Sequence, residues 1–458
     1  MMMVQSPASL VDDLHEDLRT RWVPDVIADA DAGASAVSPS LDADALSLFP
    51  VLRDAGPRVA PIFTVQALAA QRQAVASLRL ISDGLLEPTV CGYRRGADGD
   101  SDYSTEYQRF RSLTESMLDC YPLVVTADVS DFFDSVDLEQ VRGSMSATMG
   151  EECWAPIEGY LRQLHGAGVP GLPAGYGDAR LIANAVLTPV DRRIESEWVR
   201  WVDDYRIFVR SEAEAFLQLD RLRRSLRSVG LRLNESKVRV TPSDHFRKTM
   251  HGGALTSVYH PETESGPTVR AALRSVFIDA VNTENRRLLR FALPRLAEQG
   301  DDFAVAYAVD ALQSRTLDAP RLVGYLSTFI DDKRVTSELG GLVACAANDP
   351  WRLARLVPLM CGARLDSETD AQVETLARST RVPALWGLLL RVLSLQERTP
   401  AVVSLLESPG AVLDARAALA ACADLGRQAP SFILDRAPQT AEALRNGSVA
   451  KPSADTLL

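Results

Sequence analysis

Two neighbouring aspartates, Asp203 and Asp204, lie between Trp201-Val202 and an apolar stretch beginning at Tyr205. Side-by-side carboxylates at the tip of a strand–turn–strand repel and raise each other's pKa, so they call for a cation. The apolar residues on either side, over 199–209, read as the two strands of a hairpin with the acids at its turn. A third carboxylate, Asp128, closes the apolar run of residues 123–127, which reads as a buried strand. Three carboxylates from two neighbouring strands can hold a pair of divalent ions about 3.5–4 Å apart, one on an attacking hydroxyl and one on a leaving phosphate oxygen. Mg2+ suits such a site because it takes oxygen ligands and shares its shell with substrate phosphates.

The elements that must position these acids can be read around them. A helix is expected at 138–149. A Gly-rich loop at 166–177 leads into a helix starting near Asp178, which Pro189 ends or kinks at Thr188. An amphipathic helix at 212–229 precedes Gly230, which is placed to close it. A strand near 237–241 follows. Upstream, a helical pattern covers 65–78 and a loop rich in Gly, Asp and Ser covers 96–104.

Four segments in this order resemble the palm motifs of reverse transcriptases. The first is Asp128-Val129-Ser130-Asp131-Phe132-Phe133-Asp134-Ser135-Val136. The second runs from Gly171-Leu172-Pro173-Ala174-Gly175 to Leu181-Ile182-Ala183-Asn184. The third is Trp201-Val202-Asp203-Asp204, and the fourth is Gly230-Leu231-Arg232-Leu233-Asn234 with Lys237. The resemblance implies an α+β fingers–palm domain of the right-hand polymerase type. It implies two Mg2+ ions, replaceable by Mn2+, held by Asp128, the Val129 backbone carbonyl, Asp203 and Asp204. Lys237 would then stand near the leaving pyrophosphate, with an ordinary surface lysine as the alternative. Phe133 would pack under the sugar and exclude a ribose 2′-hydroxyl, and one of Phe132 and Phe133 is expected in the core. Pro173 and Gly175 would lie against the template–nucleotide pair, glycine allowing close backbone approach. Ala179 stands where many relatives carry Ser, and the next residue, Arg180, could contact a phosphate. Arg94 and Arg95 are either a grip on the incoming triphosphate or a surface pair.

At 458 residues the chain is too long for one typical core. Its net charge of −12 argues against a broadly basic nucleic-acid coat, yet residues 191–248 carry 14 basic against 10 acidic residues. A local basic strip on a mildly acidic protein suits a nucleic-acid channel. Six scattered cysteines without a C-x-x-C pattern read as reduced thiols. No secretory leader and no run long enough to span a membrane is evident, so a cytoplasmic location is expected.

The domain reading is an N-terminal extension at 1–60 with a helix near 10–22, fingers at 61–120 and a palm at 121–250. A connection at 251–267 leads to an all-α HEAT-like helical-repeat domain at 268–440 and a flexible tail at 441–458. In the repeat domain, helical spacing recurs between breaks such as Gly300, Asp318 to Pro320 and Asp349-Pro350. Its helices read as pairs: 286–299 with 304–313, 352–360 with 371–379, and 384–396 with 411–425. A palm followed by such an array resembles the abortive-infection (AbiK/AbiA-like) and other defence-associated reverse transcriptases, as does the wording of Trp201-Val202-Asp203-Asp204-Tyr205-Arg206-Ile207-Phe208 and the position of Asp191. That resemblance implies antiphage DNA synthesis from dNTPs, untemplated or protein-primed, with Tyr307, Tyr325 or Tyr259 as the priming hydroxyl and the array as a substitute thumb or a homo-oligomer contact. The alternatives are a conventional enzyme of retron or group II type with an RNA template or dedicated non-coding RNA, and a non-catalytic repeat scaffold with a nucleotide-binding palm.

Overall fold

The computed structural model describes residues 46–436 apart from 54–55, 64, 97–98, 101–102, 174–176, 251–266, 315–317, 408–409, 411 and 414. The expected helix near 10–22, Gly175, Tyr259, all but the last residue of the connection and the C-terminal tail lie outside the described residues, and Arg95 is described in its backbone alone. The chain forms two compact units, one from Leu46–Gln66 with Leu255–Leu458, the other centred on Ala67–Ala254. Strands β1 (Leu46–Arg53) and β2 (Gly56–Phe63) form an antiparallel hairpin that belongs to the first of these.

The second unit begins with two helices, α1 (Val65–Ala74) and α2 (Ala76–Leu85), where the sequence pattern suggested one. Val75 leaves helical geometry at φ −93°, ψ 3° and divides them. Strands β3 (Val90–Cys91), β4 (Arg95–Gly96) and β5 (Gly99–Asp100) follow, then helix α3 (Tyr103–Leu118) and strand β6 (Leu123–Asp128). After a short turn α4 (Phe132–Ser135) come α5 (Leu138–Met149), α6 (Glu151–Gly166) and α7 (Gly177–Asp191). Strands β7 (Trp198–Trp201) and β8 (Asp204–Val209), helix α8 (Glu212–Arg227), strand β9 (Arg239–Pro242) and helix α9 (Ser243–Met250) complete it. Pro189 does not stop α7, which runs on to Asp191. Its missing N–H falls in the last turn, and Thr188 Oγ1 bonds the Asn184 carbonyl at 3.1 Å.

A mixed five-stranded sheet, ordered β3-β7-β8-β6-β9, is the platform of this unit. β7, β8, β6 and β9 are antiparallel neighbours, and β3 adds in parallel to β7. Side chains alternate between the two faces of such a sheet. On one face Val124, Val199 and Phe208 pack with Phe110 and Leu118 of α3. Trp198, Arg200, Tyr205 and Ile207 belong to the other face, where Arg200 and Tyr205 meet residues of α7. Helix ends are capped locally: Asp137 accepts from the Glu139 amide, and Ser211 from the Glu214 amide while Glu214 accepts from Arg210.

The other unit is largely helical: α10 (Pro267–Asn282), α11 (Arg286–Glu298), α12 (Val305–Ser314), α13 (Ala319–Ser327), α14 (Lys333–Thr336), α15 (Leu339–Ala346), α16 (Pro350–Gly362), α17 (Ser367–Ser379), α18 (Pro383–Leu395), α19 (Thr399–Leu406), α20 (Ala415–Asp424) and α21 (Ser431–Arg436). The pairs that pack are α10 with α11, α12 with α13, α15 with α16, and α17 with α18. From pair to pair, α11, α13, α16, α18 and α20 follow one another in one layer, and α12, α15 and α17 in a second. Of the three pairings read from the sequence, 384–396 with 411–425 matches a close contact, α18 with α20, between neighbours within one layer. The other two set α11 beside α12 and α16 beside α17, one helix out of step. The breaks are alike within and between pairs, since Asp332, Asp349 and Asp366 each cap a helix, so they mark boundaries without naming partners. The β1–β2 hairpin packs on α16 and α18, with the Phe49 and Trp351 rings 6.4 Å apart. Phe49 of the hairpin belongs to this unit's core, with which residues 46–63 are grouped.

Gly171 shows how tightly the second motif is laid on the first. Its φ is +56°, and a Cβ there would come within 2.0 Å of the Phe133 carbonyl oxygen. The Leu172 amide donates to that same carbonyl at 2.7 Å. Gly171→Ala is expected to cost about 3 kcal/mol, from the left-handed backbone plus overpacking, read as a lower denaturant midpoint. A midpoint unchanged from the parent chain would contradict this account of the loop.

Candidate active site

The sheet brings the three carboxylates to one end. Asp128 and Asp204 face each other directly in the β6–β8 register. Asp203 occupies the two-residue turn between β7 and β8, whose last pair is Trp201 with Asp204. The Val129 amide donates to the Asp203 carbonyl at 3.3 Å, fastening the first motif to the turn. Burial, then the charge of Asp128, pushes Asp203 up to about 6. Burial also pushes Asp204 to about 6, with Arg206 pulling it back and Asp128 adding to the rise.

Lys237 reaches the same place from the fourth motif. It ends the 3-10 turn Glu235–Lys237, and its Nζ donates to Asp128 Oδ2 at 2.8 Å. That bond holds its ammonium above the usual lysine value. The turn is fixed at several points. Arg223 forks onto Glu235 with two contacts of 2.8 Å, and the Asn234 amide donates to the Asp128 carbonyl at 2.8 Å.

Phe132 is buried in the core and Phe133 half-buried beside it, the rings 5.4 Å apart. Pro173 is buried and directly follows Leu172, whose amide bonds the Phe133 carbonyl. Arg180 stacks over the Tyr93 ring at 4.0 Å, and Tyr93 lies 6.3 Å from Trp201. Arg94 is placed differently from the expectation of a triphosphate grip. Its guanidinium bonds Asp83 Oδ1 at 3.0 Å and the carbonyls of Glu87 and Val90 at 2.7 and 3.3 Å, which ties the β3 region to α2.

Among the described residues, the priming candidates Tyr307 and Tyr325 both have buried hydroxyls. Tyr325 is fully buried; its hydroxyl donates to the Asp301 carbonyl at 2.6 Å and accepts from the Ala304 amide at 3.1 Å. Burial pushes it to about 12. It caps a turn of the array, so as a nucleophile it would first have to leave the core. The hydroxyl of Tyr307 is buried, with its ring edge-on to Phe277 at 5.2 Å.

Sequence reasoning passed over the support beneath the acids. Arg200 is wholly buried under the turn and forks onto Asp191 through Nε at 3.1 Å and Nη2 at 2.6 Å. Its Nη1 donates to Asn184 Oδ1 at 2.9 Å and to the Val202 carbonyl. The Tyr205 hydroxyl donates to Asp191 Oδ1 at 2.7 Å, and Asn184 Nδ2 to the Gly92 carbonyl at 3.0 Å. Burial pushes Asp191 upward while Arg200 and Tyr205 pull it down; the bidentate fork is that of an ion pair. The signal was present: an arginine in the apolar strand Trp198-Val199-Arg200-Trp201 has no exposed face to occupy.

The donor chemistry of Asp128, Asp203 and Asp204 is all oxygen and carries more negative charge than Lys237 balances, which fits a hard divalent cation. Among the described residues no three Asp, Glu, His or Cys side chains are drawn together as a ready metal cage. Asp128, Asp203 and Asp204 would be the residues to hold such a cation.

A mixed sheet with acids at its end, a lysine over one of them and helices on both faces defines a nucleotidyltransferase palm-like domain. Residues 58–250 match the family model "Reverse transcriptase (RNA-dependent DNA polymerase)", so the chain carries the domain of an RNA-directed DNA polymerase. No curated protein matches the chain. No helix among the described residues is long and apolar enough to cross a membrane.

The raised acids set a pH dependence. With Asp203 and Asp204 near 6 against an ordinary 3.8, the folded state binds their protons more tightly than the unfolded chain. The metal-free protein therefore gains stability from this pair as pH falls from above 6 towards 4. A divalent cation needs the ionised forms, so Mg2+ is expected to raise the melting temperature at about pH 7.5 and to lose that effect near pH 5. Asp203→Asn should shrink both trends. Melting curves across pH with and without Mg2+ check this, and an Mg2+ effect of equal size at both pH values would refute it.

Proposed function

We propose that the chain is a reverse-transcriptase-like DNA polymerase that adds dNTPs by two-metal phosphoryl transfer. The observation that carries this reading is the register pairing of Asp128 with Asp204, with Asp203 in the adjoining turn and Lys237 bonded to Asp128. Asp128, Asp203, Asp204 and the Val129 carbonyl are the proposed Mg2+ ligands. The ions, when bound, supply Lewis acidity to the attacking and leaving oxygens. Lys237 is the proposed donor to the departing pyrophosphate, since its ammonium already stands over the acids. Phe133 is the proposed sugar gate, and Pro173, Gly175 and Arg180 the proposed edge of the nucleotide site. Arg94 is left out because its guanidinium is engaged by Asp83 and two carbonyls. Arg95 stays in the proposal only as a residue of the short β4–β5 hairpin.

The motif wording and the helical array support a role in antiphage defence of the abortive-infection type, in the cytoplasm. The two-layer succession of helix pairs supports a HEAT-like array, suited to contacts between copies of the chain. For the primer, the buried hydroxyls of Tyr307 and Tyr325 favour a second reading. On that reading synthesis starts from a nucleic-acid primer on an RNA template, with Tyr259 the remaining candidate for self-priming.

Labelled dNTP incorporation by the purified chain, with Mg2+, tests these readings. It is run without nucleic acid and again on a primed RNA. Asp203→Asn is expected to reduce product to background, and Lys237→Ala to lower the rate about 10²–10⁴-fold. Product on the primed RNA alone would select the templated reading. Protease-sensitive product without nucleic acid would select self-priming. Incorporation that survives Asp203→Asn would remove Asp203 from the chemistry.

The gate is checked separately. Phe133→Ala is expected to lower the preference for dNTP over rNTP at least about 10-fold, because a hydroxyl-sized clash is relieved. Equal discrimination by both proteins would place the gate elsewhere.

A further inference from the structure

The turn that carries Asp203 has an unusual backbone. Val202 has φ +54°, while Asp203 is not among the residues with positive φ. These signs are those of a type II′ hairpin turn, whose first central position favours glycine. A β-branched residue there is a strained choice that surrounding structure must hold in place. Two contacts hold it. The Val202 amide donates to the Cys91 carbonyl at 3.5 Å, a weak bond. Its carbonyl accepts from Arg200 Nη1, whose guanidinium is itself locked by Asp191 and Asn184.

We infer that Arg200 is a positioning residue: its bond to the Val202 carbonyl holds the left-handed turn and so sets where the Asp203 carboxylate stands relative to Asp128 and Asp204. The inference deepens the polymerase reading and rests on it for its effect on rate. Arg200 reaches no substrate, since it is fully buried on the sheet face that α7 covers. What makes the role specific is the division of its donors. Nε and Nη2 bind Asp191, so only Nη1 serves the turn. A lysine could keep the charge partner Asp191 but lacks the planar fork needed to bond it twice and reach the carbonyl as well.

The test is a cycle in the full chain: Arg200→Lys, Val202→Gly and the two together. Glycine adopts the left-handed turn without help, so it should make the bond from Arg200 dispensable. Arg200→Lys is expected to speed amide hydrogen exchange in the 198–209 segment and to weaken Mn2+ binding, measured with Mn2+ alone by the loss of free-ion signal. It should lower kcat on the order of 10²-fold with the dNTP KM held within about twofold, because the acids move and the nucleotide contacts do not. Adding Val202→Gly should return exchange, Mn2+ binding and kcat most of the way. A general weakening of the fold would not be repaired by a glycine. If Arg200→Lys does not fold, Tyr205→Phe, which frees Asp191 Oδ1 of one bond, carries the same comparison with a smaller shift in the same direction. A double variant as impaired as its parent overturns the inference, as does unchanged exchange and Mn2+ binding in the folded single variants. If the parent chain incorporates no dNTP, the polymerase reading fails, while the exchange and Mn2+ results still decide the place of Arg200.

Discussion

Like charges gathered at one end of a sheet set the terms for the rest of the unit. Burial, with the charge of Asp128 beside them, raises the pKa of Asp203 and Asp204, and no loop would hold the three together unaided. The fold answers by putting Asp128 and Asp204 on paired strands and Asp203 in the shortest turn between two strands. It sets cations on two sides. Lys237 bonds Asp128 from the fourth motif, and Arg206, packed 3.9 Å over the Phe110 ring, lowers Asp204 from within its own strand. The remaining charge is what a divalent ion would neutralise.

Backbone bonds, more than side chains, join the motifs. Val129 donates to Asp203, Ser130 to Arg232, Asn234 to Asp128 and Leu172 to Phe133. Each of these ties one motif to another across a long stretch of sequence. Main-chain bonds of this kind hold positions without depending on rotamers, so the backbone from which the acids and the lysine extend is set before any ligand arrives. That is the form of preorganisation that electrostatic catalysis requires.

Much of this was legible from spacing, because the residues that do chemistry carry their own signature. A run of apolar residues ending in Asp128, and a hairpin with paired acids, can be read without a third dimension. The helices at 138–149 and 212–229 were readable from periodicity, and α5 and α8 bear this out to within two residues. Partnerships were harder. Arg94 looks like any exposed arginine until Asp83, eleven residues away, is seen to bind it. Tyr325 reads as an available phenol, but its value to the fold is to bridge Asp301 and Ala304. In the helical unit, helices such as α16 and α18 have buried apolar positions on more than one side, so periodicity locates helices and leaves open which neighbour each one meets. The β1–β2 hairpin is the extreme case, since its partners α16 and α18 lie some three hundred residues later in the chain.

The buried Arg200–Asp191 pair bears on the same distinction between stability and position. A buried ion pair gives little net stability over well-packed apolar residues, because desolvation offsets most of the attraction. An aliphatic side chain at position 200 would suit the strand Trp198-Val199-Arg200-Trp201 at least as well as a charge. No aliphatic side chain, however, could bond the Val202 carbonyl, which points inward beneath a turn that valine does not favour. Asn184 and Tyr205 add bonds that fix the guanidinium and carboxylate in one orientation. The network is thus arranged to define a direction in space, and the group at the end of that direction is the turn bearing Asp203.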